Sequence, residues 1–294
     1  MIDIQPDQAR TLAAIVAHGS FEAAAGQLSV TASAVSQRVR ALEIAVGRPV
    51  LQRTRPVELT DAGQAVVRFA RQLDMLSTDL AEELQPGVPR AGTRLALVIN
   101  SDSLHTWVLP ALAEVSGTVQ LEILREDQDY SLELLRSGAA AAAITATAAP
   151  APGCRSRSLG TMRYLAVCAP SFAADWFSGG VSTESLAEAP VVTFDRKDEL
   201  QDRFLRLQGH QRLKPPRHYV PAAHEFSEAI RLGMGWGMVP EIEIAADLEL
   251  QRLRELVPGS VVDVPLYWQQ WRYGSAALDD VAAAVSHEAA RLLR

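Results

Sequence analysis

Cysteine is almost missing. Cys154 and Cys168 are the only two, and no CxxC pair exists. That excludes a disulfide framework or a cysteine-built metal centre and fits a reducing compartment. No apolar run approaches the roughly 18 residues a membrane span needs. The start, MIDIQPDQAR, has early acids and no apolar core of a signal peptide. A cytoplasmic protein without membrane contact is therefore expected. Lysine occurs only as Lys197 and Lys214, so any basic surface is built from arginine. Catalytic signatures are missing too: there is no GxSxG elbow, no HExxH and no Walker loop. Gly233, Gly235 and Gly237 lack the GxGxxG spacing and follow a helix, which argues against a dinucleotide site. Cys168 falls in a predicted buried strand and reads as a small core residue rather than a nucleophile. His105 and His224, at loop-to-helix junctions, read as satisfied polar residues rather than metal ligands. No enzyme activity, cofactor or metal is expected.

What is present is ordinary globular material. At 294 residues, two or three domains are the expectation. The chain is organised around Ser20 to Arg55, which reads as helix, tight turn, helix and a short basic hairpin. Ser20 caps a short helix that ends near Leu28. Ser29, Val30 and Thr31 make the turn, and Thr31 caps a second helix that stops at Gly47. Val35, Val39, Leu42 and Val46 recur at spacings of four, three and four, one buried stripe. Thr31, Ser33, Ser36, Gln37 and Arg40 point elsewhere. Hydroxyls, an amide and an arginine on an exposed helix face suit the edges and phosphates of duplex DNA. Between Val30 and Pro56 the bases are Arg38, Arg40, Arg48, Arg53 and Arg55, and the only acid is Glu43. In a chain of net charge -7 that concentrates positive potential here. Residues 6 to 18 form a further helix that braces this pair through Leu12, Ile15, Val16 and Ala13.

The segment resembles the winged helix-turn-helix of the LysR-type transcriptional regulators. The matching elements are Gly19-Ser20-Phe21, Ala24-Ala25, Leu28, Ala34-Val35-Ser36, Leu42-Glu43, Gly47, Arg53 and Leu59-Thr60-x-Ala62-Gly63. Val50-Leu51 stands where the family usually has Leu-Phe before the wing arginine; both residues are apolar, so the packing role survives. The resemblance implies double-stranded DNA as a partner, with Arg53 and Arg55 of the hairpin added to the contact set.

Thr60-Asp61-Ala62-Gly63 starts a helix that runs to about Leu84. Ala62, Val66, Phe69, Leu73, Leu76 and Leu80 follow a repeat of 3.5 residues, the seam of a two-stranded coil. Val66, Phe69, Leu73, Leu76 and Leu80 are thus the expected dimerisation residues. The helix also resembles the family's linker helix. Residues 85–92, with two prolines and two glycines, read as a hinge.

Beyond the hinge, strands alternate with helices. Strands are predicted at Arg94 to Ile99, Val119 to Leu124, Ala139 to Thr145, Tyr164 to Ala169, Val191 to Phe194, His218 to Pro221 and Val261 to Arg272. A last helix from about Ala276 buries Leu278, Val281, Val285 and Leu292. The alanine run is read as a short parallel strand, against its helical propensity, because it follows a helix and a glycine. The fold class is α + α/β: an N-terminal winged helix-turn-helix (1–60), a long linker helix (61–84), the hinge (85–92) and a two-lobed α/β effector domain resembling periplasmic binding proteins. Lobe I is 93–161 plus 266–294, and lobe II is 162–265. Ligands of such folds bind at the carboxyl ends of the strands.

The whole chain resembles the LysR-type family. Leu266 to Arg272 (LYWQQWR) and Arg53-Thr54-Arg55-Pro56 look most like its lysine- and arginine-sensing subgroup, the LysG/ArgP type. The tryptophan motif itself reads as a structural strand. The resemblance implies a basic amino acid as effector, activation of an amino-acid exporter gene, RNA polymerase as a partner, and a homodimer or homotetramer. An amino acid's α-carboxylate would use hydroxyls at a helix start, Ser101, Ser103 and Thr106. Its cationic side chain would use carboxylates from Asp102, Asp127, Asp195 and Glu225, with His224 and Thr145 nearby. The competing readings are an amino-acid receptor that regulates no DNA and a LysR-type regulator of another effector.

Overall fold

The structure, a computed structural model, describes residues 3–52, 54, 57–85, 93–125 and 128–294. The hinge residues 86–92, the wing arginines Arg53 and Arg55, and Asp127 lie outside the described residues. The chain opens with α1 (Pro6–His18), α2 (Phe21–Gln27), α3 (Ala32–Val46), a small antiparallel pair β1 (Leu51–Gln52) and β2 (Glu58–Leu59), and α4 (Asp61–Leu84). It continues through β3 (Thr93–Val98), α5 (Ser101–Thr106), α6 (Val108–Val115), β4 (Val119–Leu124), α7 (Gln128–Arg136), β5 (Ala142–Thr145), β6 (Cys154–Cys168), α8 (Pro170–Trp176), α9 (Thr183–Glu188) and β7 (Val191–Thr193). Then come α10 (Leu200–Leu207), β8 (Arg217–Tyr219), α11 (Ala223–Arg231), β9 (Gly237–Pro240), α12 (Glu241–Glu249), β10 (Arg254–Glu255), β11 (Val261–Trp271) and α13 (Ala276–Leu292).

Two compact units emerge. The first holds residues 1–99, 114–157 and 268–283; the second holds 100–113, 158–267 and 284–294. Segments 100–113 and 284–294 therefore pack with the second unit, although the sequence grouped them with the first lobe.

In the first unit, α1 to α3 enclose one core with the start of α4. Ala9, Leu12, Ile15, Val35, Val39, Leu42, Val50, Val66, Val67 and Ala70 are buried together. Two sequence expectations change here. Val16 is 37% exposed, and Ala9 and Thr11 fill its place on the inner face of α1. Val66 is buried in this helix-turn-helix core and cannot serve a partner subunit. Its neighbours on the inner face, Val67 and Ala70, explain why: the first turns of α4 are part of the domain they follow.

Also in the first unit, β3 lies between β4 and β5 and is parallel to both. The alanine run is a strand from Ala142, as its position after a helix and glycine predicted. Fully buried small side chains let it pack on both faces. The tryptophan motif is structural here: Trp268 and Trp271 are buried, and Trp271 Nε1 donates to the Leu135 carbonyl at 3.4 Å.

The second unit has β6 flanked by β9 and β10, both antiparallel, and a parallel pair β7 and β8. Leu165, Val167, Val192, Phe226, Ile230, Val239 and Ile244 form its core. In the final helix Leu278, Val281 and Val285 are buried as expected. Leu292 is not; Ala289, one turn earlier, takes the last inward position.

Candidate DNA interface and effector site

The candidate DNA-facing surface follows from two caps and a stripe. Ser20 Oγ accepts from the Ala23 amide and Thr31 Oγ1 from the Ala34 amide, each at 3.1 Å. These side chains satisfy donors that helix starts leave free. Val35, Val39 and Leu42 hold α3 against the core, so the opposite face must be exposed. That face carries Thr31, Ser33, Ser36, Gln37 and Arg40, all exposed. Ser33 and Ser36 line an open recess of about 700 Å³ with Gly19, Ser20, Phe21, Glu22, Ala32 and Val57. Arg38 points away from this face. Its guanidinium reaches Thr11 Oγ1 at 3.4 Å and Asp7 at 3.6 Å, so it braces α1 and leaves the positive excess to Arg40, Arg48 and the wing.

Base-edge and phosphate contacts should separate in mutants. Gln37→Ala or Ser36→Ala should lower discrimination between operator and mismatched duplex by about tenfold, the effect of losing one base contact. Arg53→Ala should weaken all duplexes alike and reduce the salt slope by about one. Gel-shift titrations across salt concentrations check both; unchanged sequence preference in the helix variants would remove their base-reading role.

The polar cluster of the second unit gathers around α5. Asn100 caps this helix, its Oδ1 accepting from the Ser103 amide at 2.8 Å. Asp102 stands in the first turn and does not serve as the cap. Asp102 Oδ2 accepts from the Tyr164 hydroxyl at 2.6 Å. Desolvation pushes the Asp102 carboxyl up to about 6; Glu243 and Asp198 push the same way, against the Tyr164 hydrogen bond and His105. The residue as a whole is half-buried, but its carboxyl is desolvated and crowded by acidic neighbours. The Tyr164 hydroxyl is held well above its ordinary value, first by burial and then by Asp102. His105 Nε2 lies 3.5 Å from Glu243, and its ring sits 6.0 Å from that of His224 at 63°. Arg231 is not available to neutralise Asp102: it is held by Asp247 at 3.0 Å and Glu243 at 3.6 Å. The cluster thus presents more negative than positive charge.

The other predicted residues are placed as follows. Ser101 is half-buried at the start of α5. Ser103 is fully buried, its hydroxyl sealed from solvent without a hydrogen-bond partner among the described residues. Thr106 Oγ1 donates back to the Asp102 carbonyl at 2.6 Å. Asp195 organises its own loop, accepting from the Lys197 and Asp198 amides at 2.7 and 3.0 Å. Glu225 is exposed beside His224 at the start of α11. Thr145 belongs to the first unit, where Gln269 Nε2 donates to its hydroxyl at 3.3 Å. Tyr164, Asp198, Glu243 and Arg231 were missed by sequence reading. Of these only Glu243 had a signal, an acid in the first turn of a helix after Pro240.

An exposed polar recognition helix on a capped three-helix core, joined by a long helix to an α/β effector domain, defines a ligand-responsive DNA-binding regulator. Residues 6–64 match the model of bacterial regulatory helix-turn-helix proteins of the lysR family, and residues 90–290 match the LysR substrate binding domain. The chain belongs to the LysR family, whose members regulate transcription and are not enzymes. It is 40% identical to the lysine export transcriptional regulatory protein LysG of Corynebacterium glutamicum, over 99% of this chain and all of that one. Its fold matches the crystal structure of ArgP from Mycobacterium tuberculosis with a TM-score of 0.92 at 38% identity, covering 98% of each chain. It matches full-length LysG of C. glutamicum with bound effector Arg with a TM-score of 0.88 at 37% identity, covering 99% of each. The regulator is thus of the LysG/ArgP type.

Proposed function

We propose that this regulator senses arginine or lysine in the cytoplasm and, as a homodimer or homotetramer, activates a basic-amino-acid exporter gene together with RNA polymerase. The observation that supports the effector most directly is the crowded, desolvated Asp102 carboxylate, which feels the charges of Glu243 and Asp198 while Arg231 is committed elsewhere. A guanidinium or ammonium group is the ligand chemistry that relieves such a cluster. The related LysG with arginine bound supports the same choice.

Calorimetry of the full chain with arginine, lysine, histidine and glutamate tests it. Arginine and lysine should bind, and Asp102→Asn should weaken them by about 30-fold, an unpaired charge-assisted hydrogen bond being worth roughly 2 kcal/mol. Binding of glutamate alone would overturn the effector.

The pH dependence has a definite sign. The carboxyl of Asp102 titrates at about 6, above its ordinary value of 3.8. Its ionisation therefore costs stability above about pH 6, and that cost disappears as pH falls toward 4. A cationic ligand needs the ionised form. Arginine affinity should hold above pH 7 and fall below pH 6, while the Asp102 contribution to fold stability moves the opposite way. Titrations at pH 5, 6 and 7.5 on wild type and Asp102→Asn check this, since the variant should lose the slope.

A further inference from the structure

The helix α4 carries a polar row that packs on the effector domain of its own chain. Asp61, Gln64, Arg68 and Arg71 fall at spacings of three, four and three, one face of a helix. All four meet α7 or the turn after it. Gln64 Nε2 donates to Glu133 at 2.7 Å, and Asp61 lies 3.4 Å from Arg136. Arg68 Nη1 donates to the Arg136 carbonyl at 2.7 Å, and Arg71 Nη1 donates to the Gly138 carbonyl. These carbonyls sit at the carboxyl end of α7, where unpaired acceptors and the negative pole of the helix favour a cation. Burial lowers the Arg71 guanidinium below its ordinary value, so it is a committed, desolvated group. Two glycines make room for the approach. A Cβ at Gly138, at φ +79°, would lie 2.9 Å from Arg68 Cα, and one at Gly153, at φ +80°, 2.9 Å from Arg68 Nη2.

We propose that Arg68 and Arg71 are a clamp that transmits between α7 and the DNA-binding helices. The same α4 contributes Val66, Val67 and Ala70 to the helix-turn-helix core. One rigid element is therefore gripped at the same level by the DNA-binding core and by the end of α7. At its other end α7 begins four residues after β4 closes, beside the carboxyl ends of the parallel strands. A displacement of α7 along its axis pulls the carbonyls that hold Arg68 and Arg71, and through them α4. The arginines are positioning residues here; they are assigned no contact with DNA or ligand.

The test is hydrogen exchange on the full chain, with and without a duplex selected from a random pool by the wild-type protein. Adding duplex should change exchange of the amides of residues 133–138 about fivefold or more in wild type, the low end of ordinary site-to-site coupling. In Arg68→Met/Arg71→Met the duplex should still bind, but the change should fall below about twofold. If the double variant does not fold, Arg68→Met alone carries the test, with Arg68→Lys as the variant that keeps the charge but loses the fork geometry. Equal exchange changes in wild type and variant, or none in wild type, would overturn the clamp. A second arm rests on the effector reading: arginine should shift DNA affinity in wild type and leave it unmoved in the variant, with arginine affinity within about twofold. A wild-type protein that binds no arginine would sink that reading, and the duplex arm would still decide the clamp.

Discussion

Replacing Leu76 by Asp should convert the protein to a smaller species in sedimentation and lower its operator affinity by about 100-fold or more. The helix α4 leaves Phe69, Leu76 and Leu80 at 41, 46 and 54% exposure, large apolar side chains only partly covered among the described residues. With half-buried Leu73 they continue the 3.5-residue repeat read from the sequence. A second copy of this helix is the occupant that such a narrow stripe fits. A carboxylate in that seam costs several kcal/mol in desolvation unless it is relieved. The DNA effect follows from linkage: two tethered recognition helices gain roughly 10²–10⁴ over one through effective concentration. An unchanged sedimentation coefficient in Leu76→Asp would mean the stripe has no partner subunit.

Gly63→Val should lower the melting temperature of the protein's DNA-binding region by roughly 10 °C or more, through a loss of about 3 kcal/mol. A Cβ at this position would run into the Val50 carbonyl oxygen, well inside contact distance, and into Leu59 Cδ2 at 2.8 Å. The obstacle is backbone, and the backbone cannot retreat. The Val50 carbonyl accepts from the Thr60 amide at 3.1 Å, the Thr60 hydroxyl donates to the Pro49 carbonyl at 2.8 Å, and the Val50 amide donates to Glu43 at 3.0 Å. The start of α4 is therefore stitched to the end of the recognition helix and the wing. Thermal melts followed by circular dichroism check the size of the loss. A melt within about 2 °C of wild type would show that this junction yields more easily than its hydrogen bonds imply.

Legibility in the sequence tracked how local the cause was. Caps, stripes and stops in α2 and α3 were readable because each depends on neighbours three or four residues away. The parallel strand at Ala142–Thr145 was readable from its surroundings, although alanine prefers helix. The repeat in α4 was readable, but not the point where it changes partner, because Val66 is assigned to the core by residues of α1 to α3. The effector cluster was half legible. Asp102 stood out after the first strand, whereas Tyr164, 62 positions away, meets it only through the fold. The hydrogen bonds of Asp195 within its own loop show a more local cause: a carboxylate at a strand end that accepts from the amides of its own turn. Arg68 and Arg71 gave no signal at all, since arginines on a long surface helix look like solvated charge.

The first turns of α4 spend every side of the helix. One side closes the three-helix core, one presents the apolar stripe, and one carries the polar row beneath α7. Between Asp61 and Ala70 few positions lack a packing or hydrogen-bonding role. A saturation library over residues 61–80 would sort its failures by face: chains that do not fold, chains that fold alone, and chains that fold and pair but no longer hold α7. The order of those classes along the sequence would trace the turn of the helix itself.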